Sequence, residues 1–364
     1  MPPSRSSPRR RRTTLFNKDG ISLFATILPS TDNDDEDQVD DNDGASPPHQ
    51  NHDGIILTLA LNRQQSKNVI NPTMISLLIQ ALDVIDTHPM LVHTNNKALI
   101  VTGLSLNDDD DDCKHHVHDK KQTQQTLNNK PTTAAKFFSN GLDLEWMLQA
   151  GNNNSSSSNN NKRTDPTSQL IESFNSQILA RLLILPFRTI AAINGHCIGA
   201  GLFLSLACDY RIMRTERGYI QWPEANLGMR LTKGFMELSK AKIGTASSTR
   251  RILNDNKEVS LDSRQEGGLV VVDHHVLREG ILTAKRYTST EALHAGIIDV
   301  ECNIDELYNV SFNLAKKGLP ESLEGMNLSY FDPRAYTEMK IELWTDAYRA
   351  LKFGKVQDLP ESRI

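Results

Sequence analysis

The chain is poor in cysteine, and no two of its cysteines lie close in sequence. Its four cysteines, Cys113, Cys197, Cys208 and Cys302, are scattered through 364 residues with no close pair. They offer neither a disulfide framework nor a zinc-ligand spacing. Cys113 does lie near His115, His116 and His118, but inside a polar low-complexity run whose His content reads as compositional; no metal is expected. No apolar run reaches the ~18 residues of a membrane span, and no apolar secretory segment follows the basic N-terminus. The expectation is a soluble protein of a reducing compartment. The formal charge of −5 is concentrated in acidic tracts, so it gives no support to a nucleic-acid partner.

Those tracts also lack apolar side chains. Residues 31–53 are rich in Asp and Asn, 105–133 in Asp, His, Gln and Thr, and 152–161 are only Asn and Ser. Such stretches bury too little apolar area to offset chain entropy. Disordered insertions are therefore expected at 31–53, 105–133, 152–166 and 254–275, after a basic disordered tail at 1–13. The last insertion is less biased, since it holds the apolar run Leu269 to Val272. What is left, roughly 260 residues, suits one α/β domain spread over 14–364.

Within that remainder, short apolar runs alternate with helical periodicity. Gly54 to Leu61 and Lys97 to Gly103 read as strands covered on both faces. Between them Asn71 and Pro72 open a helix, with Met74, Ile75, Leu78, Ala81, Leu82 and Ile85 on one face. Leu170, Ile171, Phe174, Ile178, Leu182 and Leu183 mark a long amphipathic helix leading to a strand at Thr189 to Ile193. The alternation predicts parallel strands with right-handed crossovers.

Two glycine turns follow strands. The first is Lys136-Phe137-Phe138-Ser139-Asn140-Gly141-Leu142-Asp143-Leu144; the second is Asn194-Gly195-His196-Cys197-Ile198-Gly199-Ala200-Gly201-Leu202-Phe203, running on to Asp209. Small residues at a strand-to-helix junction either serve close packing or let a substrate approach free N–H groups at a helix start. Likewise, Glu224 after Trp222-Pro223 is either a helix-start carboxylate or a base in an apolar setting.

Taken in order with Asp209 to Arg214, Trp222 to Gly228, Leu238 to Gly244 and Glu291 to Asp299, these segments resemble the crotonase (enoyl-CoA hydratase/isomerase) superfamily. The wording around Phe137 to Leu144 is most similar to the plant-type peroxisomal delta(3)-delta(2)-enoyl-CoA isomerases. The resemblance implies a crotonase-like α/β ββα spiral with C-terminal helices. It also implies an oxyanion hole from the N–H groups of Leu142 and Ala200, and Glu224 as the catalytic base. Trp222, Leu227 and Phe203 would supply the apolar setting of that base. An acyl-CoA would be received by Ser66, Lys67, Asn68, Ser139, Asn140, Gly141, Asp143, Gly199, Phe203 and Trp222, with Lys67 near a phosphate. Asp143 reads as a cap or brace rather than a reacting group.

Hydratases of this superfamily use a second glutamate two residues past the last glycine of the second turn. Here that position is Phe203, which favours isomerisation of 3-enoyl-CoA to 2-trans-enoyl-CoA in fatty acid β-oxidation. Enoyl-CoA hydratase and a non-catalytic acyl-CoA-binding or interaction protein remain alternatives. The coenzyme A thioester is the substrate, and no other cofactor is expected. A homo-trimer or hexamer is implied, with Leu307 to Leu314 or Tyr336 to Leu351 as candidate contact helices. The terminal Ser362-Arg363-Ile364 is similar to a peroxisomal address; mitochondrial or cytoplasmic location is the alternative.

Overall fold

Asp19 and Gly20 have φ angles of 47° and 80°, the conformation that both central residues of a two-residue hairpin turn adopt. They join β1 (Arg11–Lys18) to β2 (Ile21–Leu28) in antiparallel register. The hairpin's sequence signal is the Asp-Gly pair between apolar runs, and β1 begins inside the segment expected to be a tail at 1–13. The computed structural model describes residues 11–28, 54–94, 96–104, 135–155, 165–243, 275–317 and 332–356. The expected insertions at 31–53 and 105–133, most of 254–275, the Cys113 and His115 to His118 cluster, and the terminal Ser362 to Ile364 lie outside those residues. The 152–166 stretch is partly inside them, because a helix spans Leu144–Ser155 and another begins at Pro166.

β3 (Gly54–Leu61) is buried at every position and pairs antiparallel with β2, as its continuous apolar run requires. Three times thereafter a strand of this sheet is followed along the chain by a short strand of a second sheet. β4 (Lys97–Thr102) is followed by β5 (Phe137–Ser139), β6 (Arg188–Ile193) by β7 (His196–Ile198), and β8 (Tyr210–Arg214) by β9 (Ile220–Gln221). β10 (Arg286–Tyr287) and β11 (Val300–Cys302) complete the two sheets. Among the described residues the strand orders are β1-β2-β3-β4-β6-β8-β11 and β10-β9-β7-β5, with β3 through β11 of the large sheet parallel. This is the crotonase-like spiral: each pass lays one strand in each sheet and stacks the small-sheet strands β5, β7 and β9 side by side.

The main core lies between the large sheet and the helices. The helix Pro72–Thr87 is capped by Asn71, whose side chain accepts from the Met74 N–H at 3.0 Å. It buries the six residues read from its periodicity, with Leu77 added. The helix expected from Leu170 to Leu183 forms, but not uniformly. Pro166–Ser173 and Ala180–Leu183 are α-helical, and Phe174–Leu179 between them is wound as a π-helix. Such widened turns are rare and recur near functional sites. The opposite face of the large sheet carries a smaller core, closed by Leu307, Phe312, Leu314 and Ala315 of the helix Ile304–Lys317.

Two further helices, Pro333–Leu343 and Thr345–Phe353, return to the body of the chain. Buried Lys340 ties the first down, donating to the carbonyls of Leu185 and Phe187 at 3.0 Å each and to Asp209 Oδ2 at 2.8 Å. Every proton of the ammonium group thereby has an acceptor, the condition under which a buried charge is tolerated. The candidate contact helices thus turn much of their apolar surface inward, with Leu307, Phe312, Leu314, Ala347 and Leu351 all buried in their own chain.

Candidate active site

The second glycine turn is assembled by backbone pairing. β7 and β9 run parallel, with the Cys197 N–H donating to Tyr219 O and the Gly199 N–H to Gln221 O, both at 3.0 Å. Gly199 then adopts φ 50° and ψ −119°, a combination open to glycine and costly to any residue with a Cβ. The reversal starts the buried helix Ala200–Leu206 directly at the end of the strand.

The first turn lies beside it. β5 runs parallel to β7. Beyond it, Ile70 N–H donates to Gly141 O at 2.7 Å and Asp143 N–H to Ile70 O at 3.0 Å. Gly141 has φ 90°, and a Cβ built on it would meet Ile198 O at 2.8 Å and Ala200 N at 3.3 Å. That contact shows how closely the two turns abut. Among the described residues, neither the Leu142 N–H nor the Ala200 N–H has an acceptor. Free amides at adjacent turns are positive ends of peptide dipoles, and they favour an anionic oxygen between them.

Glu224 faces the second turn. It opens the short 3₁₀ turn Glu224–Leu227 after Pro223, and a Cβ built on Gly199 would lie 3.8 Å from its Oε1. Its Oε2 is buried with no hydrogen-bond partner among the described residues. Burial pushes the carboxyl up to about 7, with a hydrogen bond to its own backbone pulling weakly the other way. Gly141, Leu142, Gly199, Ala200 and Glu224 line one small cleft. Its apolar walls come from Leu144, Pro223, Leu227, Met229 and Phe235, and Asn140 adds an amide. The cleft therefore combines a base near neutrality, an apolar wall and two free donors.

Other expected residues sit elsewhere. Trp222 is fully buried behind Glu224, its Nε1–H donating to Ser239 Oγ at 3.2 Å, and does not reach the cleft. Phe203 is also fully buried. It stacks face to face on Phe235, with centroids 4.0 Å apart, and it is Phe235 that lines the cleft. The apolar setting expected from Trp222 and Phe203 is thus second-hand; Met229 and Phe235, which the sequence reading missed, are in direct contact with the space. Ser66 bonds back to Arg63 O at 3.0 Å, and Lys67 is exposed with φ 55°. Asp143 caps the helix Leu144–Ser155, accepting from Trp146 N–H at 3.0 Å, and is braced by Asn71 at 3.1 Å.

Asn68 and Ser139, expected to touch substrate, are buried and fully occupied inside the protein. The Asn68 carboxamide donates to the carbonyls of Leu61, Phe137 and Phe138 at 2.9, 3.2 and 3.0 Å and accepts from Arg63 N–H at 2.7 Å. Two more carboxamides converge on the same strand. Gln64 Nε2 donates to Phe137 O at 2.9 Å and Gly103 O at 3.0 Å, and Asn194 Nδ2 to Phe137 O at 3.3 Å and Ala135 O at 3.0 Å. One carbonyl, that of Phe137, receives donors from three side chains in two separate segments. No local pattern announced this knot, since its members lie up to 130 positions apart.

Residues 132–273 match the family model described as "Enoyl-CoA hydratase/isomerase". The chain is 37% identical over 153 residues to enoyl-CoA delta isomerase 2, peroxisomal, of Arabidopsis thaliana, covering 42% of this chain and 60% of that protein. It is 36% identical over the same length to enoyl-CoA delta isomerase 3 of that plant. The match thus spans about 60% of the length of these curated relatives. An enoyl-CoA hydratase structure from Mycobacterium ulcerans Agy99 superposes with a TM-score of 0.52 at 19% identity, covering 83% of this chain and 92% of that one. A structure of an enoyl-CoA hydratase/isomerase family protein from Pseudomonas syringae gives 0.52 at 18% identity, with 84% and 94% covered. The fold is thus of the crotonase class. Within that class, the sequence is similar to the plant-type enoyl-CoA delta isomerases.

Proposed function

We propose that the protein is an enoyl-CoA isomerase that moves the double bond of a 3-enoyl-CoA to the 2-trans position. The observation that carries this reading is the cleft itself: Glu224, near neutrality and with Oε2 unpartnered, faces the turn that presents one of two free amides. Among the described residues, it is the one ionisable side chain lining that space.

The thioester oxygen of the substrate accepts from the Leu142 and Ala200 N–H groups. Glu224, as carboxylate, removes a proton from carbon 2; the electrons pass to the thioester oxygen as a dienolate, and the two amides carry that charge. Glu224, now neutral, returns the same proton at carbon 4, and the double bond ends between carbons 2 and 3. One base suffices, and a group near 7 both takes and releases the proton readily. Water addition would call for a second carboxylate, whereas the corresponding position holds Phe203, stacked under Phe235. The coenzyme A moiety is part of the substrate, and the exposed Ser66–Lys67 turn is the proposed contact for its phosphates. We assign a homo-trimer or hexamer, no other cofactor and no nucleic-acid partner. No described helix is long and apolar enough to cross a membrane. A peroxisomal location belongs to the same proposal, supported by relatives bearing that designation.

The test is conversion of a 3-enoyl-CoA to its 2-trans isomer by wild type and Glu224→Gln. The variant keeps the shape but loses basicity. Turnover should fall by roughly 10²- to 10⁴-fold while affinity for a saturated acyl-CoA stays within about 3-fold. Near-normal turnover in the variant would move the base elsewhere. Acyl-CoA binding with no turnover in wild type would favour the non-catalytic reading.

A further inference from the structure

We infer that Ser139 is a positioning residue for the oxyanion site, acting through the turn that carries Leu142, with Asn68 as its anchor. The inference rests on the isomerase reading for its kinetic arm only. Ser139 is the last residue of β5 and is wholly buried. Its hydroxyl donates to the Asn68 carbonyl at 2.7 Å and accepts from the Gly141 N–H at 3.2 Å. It therefore spans the base of the loop whose next amide, that of Leu142, is free.

The anchor is rigid. Asn68 sits at φ 51° and uses every polar position of its carboxamide on other segments, so its carbonyl has little freedom to follow the turn. On the opposite side Gly201 is pressed against Ser139: a Cβ there would lie 2.6 Å from Ser139 O and 2.7 Å from its Cβ. Ser139 is thus held between Asn68 and the helix that begins at Ala200, the residue presenting the second amide. Through this one side chain, the spacing of the two amides is set by side-chain and packing contacts as well as by strand pairing. An amide that must meet a developing oxyanion at 2.7–3.1 Å loses most of its value when displaced by about 1 Å.

The experiment uses the full chain with Ser139→Ala and, as a conservative variant, Ser139→Cys. Ser311→Ala serves as a control: it removes another buried hydroxyl, one that donates to Leu307 O at 2.7 Å far from the cleft. Two readouts are taken. The first is kcat and KM for a 3-enoyl-CoA. The second, independent of turnover, is the infrared carbonyl stretch of bound hexanoyl-CoA labelled with ¹³C at the thioester carbon. In Ser139→Ala, kcat should fall about 10- to 100-fold with KM within about 3-fold, and the downward shift of the bound carbonyl should shrink. Ser139→Cys should fall between the two, and Ser311→Ala should match wild type. If Ser139→Ala keeps the carbonyl shift and the kcat of the control, the positioning role is overturned. A wild type that shifts the carbonyl, loses the shift in Ser139→Ala and yet does not isomerise would overturn the isomerase reading while upholding the role of Ser139. Absence of any carbonyl shift in wild type would overturn both.

Discussion

The two glycine turns reach the same place by different means. The second is continuous in sequence from β7 through Gly199 into its helix, and hydrogen bonds to β9 hold it in register. The first begins at β5, far along the sequence from the strand β4 that precedes it. Backbone bonds to β7 and Ile70 hold it too, but side chains add a second set, with Gln64, Asn68 and Asn194 gripping β5 and Ser139 bracing Gly141. A turn built from backbone pairing is tolerant of its neighbours. One that also leans on buried carboxamides depends on them as well, because a half-satisfied buried network is worse than none.

The sharpest break in this comparison is expected at Gly141. In Gly141→Ala the methyl group would enter the 2.8 Å gap to Ile198 O, at a φ of 90° that L-residues avoid. It would push the two amides apart. Isomerisation should fall by at least about 10²-fold and stability by about 2–4 kcal/mol, read by turnover and by urea unfolding. Gly199→Ala meets its nearest atom, Pro223 Cγ, at 3.4 Å, an ordinary contact. It should fold with a smaller loss, about 1–2 kcal/mol from backbone strain, and lose activity mainly by crowding Glu224. Equal destabilisation by the two changes would erase the distinction.

Next in size is the side-chain knot. Asn194→Ala leaves the buried Gly103 N–H without its acceptor at 2.9 Å and frees the carbonyl of Ala135. A cost of about 2–4 kcal/mol is expected. Gln221→Ala, beneath the second turn, removes one bond of 2.8 Å to Ala284 O and should cost only about 1–2 kcal/mol. If thermal denaturation ranks them the other way, the first turn is not the one that depends on side chains.

The same contrast explains what was legible in the sequence. Strand, glycine turn and helix at 189–209 follow one another within a short window, so local propensity and global fold agree there. The helix cap at Asn71 and the brace at Asp143 were readable for the same reason. Gln64 and Asn194 were not, because a buried carboxamide looks like any surface amide until the fold brings its partners within 3 Å. Phe203 was placed at the cleft by its position in a motif. In the structure the helix Ala200–Leu206 is buried on all sides, so a ring there packs inward and Phe235 takes the wall. The π-helical segment Phe174–Leu179 leaves no mark in the sequence, because its apolar residues also satisfy the ordinary helical period.

The smallest expected effect concerns Glu224, which faces the second turn, and its sign is opposite to the others. Its folded carboxyl is raised to about 7 by burial, against about 4.3 in an unfolded chain. A raised value means that the folded state prefers the protonated form, so the stability tied to that proton is complete below about pH 4 and is lost as pH rises through 7. Glu224→Gln removes the titration. Allowing for partial exposure, it should be more stable than wild type by about 1–2 kcal/mol at pH 8, with the difference closing as pH falls to about 4. Turnover of wild type should move the other way, rising through pH 7 as the carboxylate forms. Unfolding curves of the two proteins near pH 4 and at pH 8 provide the check. A gap that does not open with pH would mean that Glu224 is not held in a desolvated site. A gap that opens as described would identify the Glu224 side of the cleft as a place where the fold gives up stability to keep a base near neutrality.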